Sequence, residues 1–247
     1  AAWLVTGANR GIGLHLVQRF RALGEPVIAT CRNVETATEL KKVDGVRIEQ
    51  LEVTSTESCN ALYERLAKDS VELRGIVNNA GMFNKTFNAQ VRDESGAVKE
   101  EERGSYTADF FDLTPEVFDQ HFMVNTIGPF SVTKALRSLL TKSEKAPVVA
   151  HVSSIMGSIA ESRGASNAGM YRVSKSALNM VNMLMVSALP EAACVVLHPG
   201  WVKTDMGGEN AAVEPVDSAA GMADVLLNLT PEKSGKFFDF QGKELPW

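Results

Sequence analysis

Residues 6–13 read Thr6-Gly7-Ala8-Asn9-Arg10-Gly11-Ile12-Gly13 and directly follow a short apolar run, Trp3-Leu4-Val5. The apolar run predicts a buried strand, and the apolar spacing after Gly11 predicts a helix. Glycines at such a turn let the backbone bend sharply and approach a ligand. The free N–H groups of a helix N-terminus favour the pyrophosphate of a dinucleotide. The spacing is Gly-x-x-x-Gly-x-Gly, and glycine-rich turns of this kind also occur for packing reasons.

The composition is that of a single globular domain, residues 1–247. Lys and Arg number 25 against 30 Asp and Glu, for a net charge of −5, with 45% apolar and 22% charged residues. This balance allows a sizeable core and argues against nucleic acid as a partner. No run approaches the roughly 18 apolar residues of a membrane helix, so we expect no membrane partner.

The cysteines and histidines point to no metal site. Cys31, Cys59 and Cys194 are widely spaced, and the histidines are scattered without a ligand-type spacing. We expect buried, reduced thiols in a soluble, cytoplasmic protein. The first strand begins almost at residue 1, which is compatible with the trimming of a native leader.

Short apolar runs alternate with helical patterns along the chain, which predicts β-α-β units around a parallel sheet with helices on both faces. The seven predicted strands lie near residues 2–6, 26–30, 46–51, 73–77, 147–152, 193–197 and 236–239. The spacing of apolar residues between Phe118 and Leu139 predicts one longer helix. Two segments interrupt the alternation: 82–113 is polar and predicts an insertion loop, and 200–217 predicts a mobile substrate lid.

The second strand ends at Cys31-Arg32, where a site for NAD usually has a carboxylate for the ribose 2′-hydroxyl. This chain has Arg32 there and Arg10 within the glycine-rich turn. Two guanidinium groups can bind a 2′-phosphate through charge-assisted hydrogen bonds. The pattern favours NADP over NAD, the alternative being that both are ordinary surface arginines.

Polar residues that suit proton transfer follow later strands. Ser154 ends the fifth strand, and Tyr171 precedes Lys175 by four residues, which places both on one face of a helix. A nearby cation stabilises phenolate and lowers the tyrosine pKa from about 10, making it a usable proton donor. Asn78-Asn79-Ala80-Gly81 ends the fourth strand, and Asn125 is a poor helix former that needs a partner. Each of these motifs alone also has a structural explanation.

In this order, the motifs resemble those of the short-chain dehydrogenase/reductase family over essentially the whole chain. The matching segments are residues 6–13, 78–81, Asn125, Ser154, Tyr171 with Lys175, and Pro199-Gly200 followed by Thr204. Segments 198–208 and 242–247 resemble the carbonyl reductases of the sniffer and C-factor branch. The resemblance implies an α/β fold with a doubly wound (Rossmann) seven-stranded sheet. It also implies NADPH-dependent reduction of a small-molecule carbonyl substrate, either a ketone, an aldehyde or a quinone.

The resemblance also implies a role for each matching residue. Tyr171 would donate a proton to the carbonyl oxygen, Ser154 would polarise that oxygen, and Lys175 would hold the nicotinamide ribose. Asn125 would anchor a water for proton relay, and Thr204 with the backbone near Val202 would contact the nicotinamide carboxamide. The implied cofactor-binding residues are Gly7, Asn9, Arg10, Gly11, Ile12, Gly13, Arg32, Glu52, Val53, Asn79, Ala80, Gly81, Tyr171, Lys175, Pro199, Gly200, Val202 and Thr204.

Two departures from the family pattern bear on the site. Glu52 stands where the family commonly has an Asp that contacts the adenine. The gap from Ser154 to Tyr171 is longer than usual, and the extra loop 161–168 is expected to wall one side of the substrate pocket.

Other functions stay open. One is a dinucleotide-binding sensor with little turnover, although a sensor has no need of a proton donor beside a lysine. Others are NADP-linked alcohol oxidation and reduction of a 3-oxoacyl thioester. The methionine-rich segment 180–185 predicts core or a subunit interface, and the family resemblance implies a homodimer, with a tetramer as the alternative.

Overall fold

The computed structural model describes residues 1–93, 95–104, 109–141, 145–165 and 167–247, with the side chains of residue 87 and residues 90–92 left out. The strands are β1 (Ala2–Val5), β2 (Val27–Cys31), β3 (Arg47–Gln50), β4 (Leu73–Asn78), β5 (Thr86–Arg92), β6 (Val98–Gly104), β7 (Val148–Val152), β8 (Ala193–His198) and β9 (Phe237–Asp239). The α-helices are α1 (Gly11–Ala22), α2 (Thr38–Lys41), α3 (Thr56–Lys68), α4 (Pro115–Phe122), α5 (Gly128–Leu136), α6 (Gly169–Ala188) and α7 (Pro215–Leu227).

The main sheet has seven parallel strands in the order β3-β2-β1-β4-β7-β8-β9. This confirms the predicted fold class, and each strand lies within about two residues of its predicted position. The chain adds β2 and β3 on one side of β1 and then crosses to β4 on the other side. Loops diverge at such a reversal, so the carboxyl ends of β1 and β4 border the crevice where doubly wound sheets bind ligands.

Helices cover both faces of the sheet, as predicted. Trp3 and Val5 of β1 point into a core with α1 and α7, and Trp3 stacks on Phe20 with ring centroids 4.8 Å apart. Leu4 points the opposite way, into a second core with α3 and α5 that includes Leu62. The alternation of side chains along one buried strand therefore fills two cores.

The predicted loop 82–113 instead contains an antiparallel hairpin of β5 and β6. Few of its residues are apolar and most of β6 is exposed, including Glu100, Glu101 and Glu102, so the short apolar runs that mark the other strands are absent. Residue 94 and residues 105–108 of this segment lie outside the described residues.

The long helix predicted between residues 118 and 139 is present, but a π-helical turn divides it into two α-helices. Helix α4 ends at Phe122, a π-helical turn spans Met123–Ile127, and α5 begins at Gly128. Pro129 has no N–H with which to bond the carbonyl of Asn125, so the regular α-helical ladder cannot continue there. Such π-helical turns are frequent at functional sites, and this one contains Asn125.

The predicted lid 200–217 is shorter than expected, because α7 already begins at Pro215, a residue suited to the first turn of a helix. Val213 pairs with the chain before Thr204: its N–H donates to Trp201 O, and its carbonyl accepts from Lys203 N, both at 2.9 Å. In the ranges the structure covers, helices long and apolar enough to span a bilayer are absent.

Candidate active site

The ends of β1 and β4 are joined by side-chain hydrogen bonds. Thr6 Oγ1 accepts from the backbone N–H of Asn79 at 3.1 Å and of Ala80 at 3.0 Å. Asn79 Nδ2 donates to the carbonyls of Thr6 and Gly7 at 2.9 and 3.2 Å. The two predicted cofactor-binding segments are therefore adjacent at the crevice.

The glycine-rich turn combines tight packing with an open helix end. Gly7 has φ +62°, and a Cβ there would lie 2.9 Å from Ala80 Cα; a Cβ on Gly13 would lie 2.5 Å from Gly7 O. Helix α1 begins at Gly11, and within the described part of the chain no side chain caps its N-terminus. Free N–H groups without a neighbouring carboxylate in the first turn fit the pyrophosphate of a dinucleotide. Asn9 and Ile12 lie in the same turn, with Ile12 packed against the core.

The segment after β8 lies against this turn. A Cβ on Gly11 would lie 3.3 Å from Thr204 Cγ2, and Thr204 Oγ1 accepts from the N–H of Gly207 at 3.2 Å. Just before it, Gly200 has φ +85°, in the left-handed region that favours glycine. Pro199 O accepts from Ser218 Oγ at 2.6 Å, which fixes the segment to α7, and Val202 is buried.

The two arginines predicted to converge on a 2′-phosphate have different surroundings. Arg10 pairs with Asp205, Nη1 to Oδ2 at 3.0 Å, with both side chains exposed. Arg32 is exposed, and its guanidinium has no hydrogen bond or ion pair to the residues that the structure describes.

Glu52 Oε1 accepts from the N–H and the hydroxyl of Thr54 at 3.2 and 2.9 Å, so this carboxylate binds its own loop. The adjacent Val53 is buried.

Tyr171 and Lys175 lie one turn apart on α6, as predicted. Lys175 Nζ lies 5.7 Å from the centroid of the Tyr171 ring and donates to Val152 O at 2.9 Å. Ser154 follows β7, accepts from the N–H of Met156 at 3.1 Å and forms a hydrogen bond with Tyr171. The structure thus brings the predicted serine, tyrosine and lysine together.

Desolvation dominates the electrostatics of this group. Burial raises the pKa of Tyr171 to about 12, and the hydrogen bond with Ser154 opposes the rise. Burial lowers the pKa of Lys175 to about 8. The sequence predicts a lowered tyrosine pKa, and the structure differs because the loss of water around the phenolate outweighs its stabilisation. The phenol therefore carries its proton at neutral pH.

Asn125 is fully buried and is bound on both sides by protein groups. Its Oδ1 accepts from Met82 N at 2.8 Å, and its Nδ2 donates to Met82 O and to Ser174 Oγ, both at 3.0 Å. These side-chain contacts join the segment after β4 to α6, and the role of Asn125 as a water anchor stays a prediction. A Cβ on Gly81 would lie 3.4 Å from Asn125 Oδ1 and 3.5 Å from Lys175 Nζ, so all three residues meet.

Two residues beside this group were not predicted from the sequence as part of the site. The ring of Phe83 lies edge-on to Tyr171, with centroids 5.2 Å apart and planes at 76°. His151 is fully buried, its Nδ1 lies 3.3 Å from Asn78 Nδ2, and burial lowers its pKa to about 3. Neither belongs to a recognisable motif, so only the packing of distant segments could reveal them.

The chain is similar to known oxidoreductases along its length. A family model described as short chain dehydrogenase matches residues 1–215. The carbonyl reductase Sniffer of D. melanogaster has a TM-score of 0.84 at 29% identity, covering 100% of this chain and 99% of that one. An NADPH-bound carbonyl reductase from chicken fatty liver has a TM-score of 0.84 at 32% identity, covering 100% and 98%.

Two relatives are similar in sequence. C-signal of Myxococcus xanthus is 47% identical over 128 residues, which cover 51% of this chain and 76% of that protein. The 1-hydroxy-2-glutathionyl-2-methyl-3-butene dehydrogenase of Rhodococcus sp. (strain AD45) is 32% identical over 253 aligned positions, covering 99% of this chain and 98% of that protein.

Proposed function

Because this chain belongs to the short-chain dehydrogenase family of oxidoreductases, we propose that it reduces a small carbonyl compound, a ketone, aldehyde or quinone, with NADPH. The observation that carries the proposal is the meeting of Ser154, Tyr171 and Lys175 beside an uncapped helix N-terminus. A proton donor, an oxygen-polarising group and a cation next to an anion-binding turn are what hydride transfer to a carbonyl requires.

The residues around the crevice fit a nicotinamide dinucleotide. When bound, NADPH supplies the hydride that is added to the carbonyl carbon. The N-terminus of α1 holds the pyrophosphate. Lys175 Nζ uses one hydrogen bond on Val152 O and keeps two donors for the ribose hydroxyls. Thr204 binds the carboxamide, and residues 79–81 line the opposite side of the crevice.

Arg32 supports NADPH over NADH. Its exposed guanidinium follows β2, where the ribose of the adenosine half lies in doubly wound folds. It is free to bind a 2′-phosphate, whereas Arg10 has first to exchange Asp205 for the phosphate. The NADPH-bound reductase that is 32% identical to this chain supports the same choice.

Tyr171 delivers the proton. Its hydroxyl is protonated at neutral pH and passes the proton to the carbonyl oxygen as the new C–H bond forms. Ser154 donates a hydrogen bond to the same oxygen. Lys175 stabilises the phenolate that remains, and solvent then reprotonates it. Asn125 holds residue 82 and α6 in register and, as the family resemblance implies, anchors a water for proton relay.

A second candidate is a dinucleotide-binding sensor with little turnover. The observation that favours it is the similarity to a protein named C-signal, which is 47% identical across about half of this chain. The relative from Rhodococcus is named a dehydrogenase, which favours the oxidative direction on an alcohol. Reduction of a 3-oxoacyl thioester is the remaining alternative within the family.

The protein is proposed to act as a cytoplasmic homodimer, with residues 1–247 as one domain and residues 200–214 as a lid. Helix α6 carries the exposed apolar residues Val173, Met180 and Leu184. They share one side of the helix and suit a contact with a second copy.

The test is a fluorescence titration of the purified protein with NADPH and NADH, followed by NADPH oxidation with a panel of ketones, aldehydes and quinones and by NADP reduction with the corresponding alcohols. Tighter binding of NADPH with turnover of at least one compound is expected. Tight binding without turnover of any compound would favour the sensor, and turnover only of alcohols with NADP would favour the oxidative direction.

A further inference from the structure

Residues 82–84 form a strap that is held by side chains of α4 and the π-helical turn. At one end, Asn125 binds both the N–H and the carbonyl of Met82. At the other end, the N–H of Asn84 donates to His121 Nε2 at 3.4 Å, and Asn84 Nδ2 donates to Gln120 Oε1 at 3.0 Å. The strap is therefore fixed on both sides of its middle residue, Phe83.

His121 is itself fixed as an acceptor. It is fully buried, and its Nδ1 donates to Val117 O at 2.9 Å, which leaves Nε2 with a free electron pair for Asn84. Burial lowers the pKa of His121, so the neutral form that can accept this bond is favoured.

Phe83 is consequently held against the proposed proton donor. Its ring meets Tyr171 edge-on with the centroids 5.2 Å apart, and both residues are half-buried. Gly81, the residue just before the strap, faces Asn125 and Lys175. The strap thus begins beside the polar group and places the apolar ring of its middle residue against the tyrosine.

We propose that Phe83 determines substrate specificity by forming a rigid aromatic wall next to Tyr171. A flat aromatic substituent on the carbonyl carbon packs along this ring, whereas a thick, branched substituent collides with it. The preferred substrates are then aryl aldehydes and aryl ketones. This inference rests on the proposed function, because it assigns a wall to the pocket in which Tyr171 donates the proton.

Benzaldehyde and trimethylacetaldehyde are matched probes for the wall. Neither has a hydrogen on the carbon next to the carbonyl, and they differ in carrying a flat or a branched substituent. We would measure kcat/KM for both with NADPH, using the wild type, Phe83→Ala, Phe83→Tyr and the control Phe111→Ala, whose ring lies in the same segment and is 91% exposed. The ratio of the two values does not depend on the fraction of active enzyme, so partial misfolding does not alter it.

Phe83→Ala is expected to lower the benzaldehyde-to-trimethylacetaldehyde ratio about ten-fold, the effect of losing an aromatic contact and opening room for a branched group. Phe83→Tyr keeps the ring and Phe111→Ala leaves the wall intact, so both should stay near the wild-type ratio. An unchanged ratio in Phe83→Ala, with both aldehydes turned over, would overturn the inference and leave the proposed function standing. If the wild type reduces neither aldehyde the inference also falls, whereas the proposed function falls only if the whole panel fails.

Discussion

Arg32 is the residue on which the choice of cofactor depends. A charge-assisted bond between a guanidinium and a phosphate contributes about 1.5–3 kcal/mol, or roughly ten- to hundred-fold in affinity. Arg32→Ala should therefore weaken NADPH binding by that factor and leave NADH nearly unchanged, as measured by fluorescence titration. Arg32→Lys keeps the charge and should fall in between; an equal loss for both cofactors would exclude the contact with the 2′-phosphate.

The buried side chain of His151 makes the stability of the protein depend on pH. Its pKa is about 3 in the folded chain against about 6.5 when unfolded, so between these values the unfolded chain binds more protons. Its contribution to stability is complete above about pH 6.5 and is lost as the pH falls towards 3.

A non-titrating His151→Gln variant should lose less of its stability between pH 7 and pH 4 than the wild type does. Urea unfolding at several pH values measures this difference. Parallel losses in the two proteins would contradict the assignment.

The glycine-rich turn fixes the start of α1 against the end of β4. Gly7 and Gly24 both have positive φ, but only at Gly7 would a Cβ meet backbone, 2.9 Å from Ala80 Cα. Gly24→Ala should cost about 1 kcal/mol for the left-handed conformation alone. Gly7→Ala should cost about 1–3 kcal/mol more through overpacking and should weaken NADPH binding. Equal losses in the free energy of unfolding would mean that close packing at Gly7 is unimportant.

The elements that the sequence predicts well are those whose pattern is local. Strands such as β1 and β8 are short apolar runs because both of their sides are buried, and Tyr171 and Lys175 share a face because of helical spacing alone. The hairpin of β5 and β6 carries mostly charged residues, and the π-helical turn depends on Pro129 interrupting an otherwise helical pattern. The strap around Phe83 depends on contacts with Gln120, His121 and Asn125, more than 35 residues away in sequence.

Across the whole chain, the family motifs identify which polar residues meet, but the pKa values of these residues depend on how deeply the fold buries them. The pairing of Arg10 with Asp205 and the raised pKa of Tyr171 both arise from segments far apart in the chain. No spacing rule contains this information, because desolvation is set by everything packed around a group.

The apolar side of α6 predicts the assembly. Met180 and Leu184 are 60% and 66% exposed, one turn apart, whereas Met185 is buried in the core. We expect a homodimer by light scattering, and Leu184→Glu should convert it to a folded monomer. A monodisperse wild-type monomer would contradict this assembly.

The most direct test of the proposed chemistry is the Tyr171→Phe variant, which removes one hydroxyl from α6 and leaves the ring. Its kcat for NADPH-dependent reduction, with any carbonyl compound that the wild type accepts, should fall by about 10²–10⁴-fold. Its dissociation constant for NADPH should stay within about two-fold of the wild type, because only the proton donor is lost. A variant that binds NADPH normally and keeps most of its kcat would contradict the assignment of Tyr171 as the proton donor.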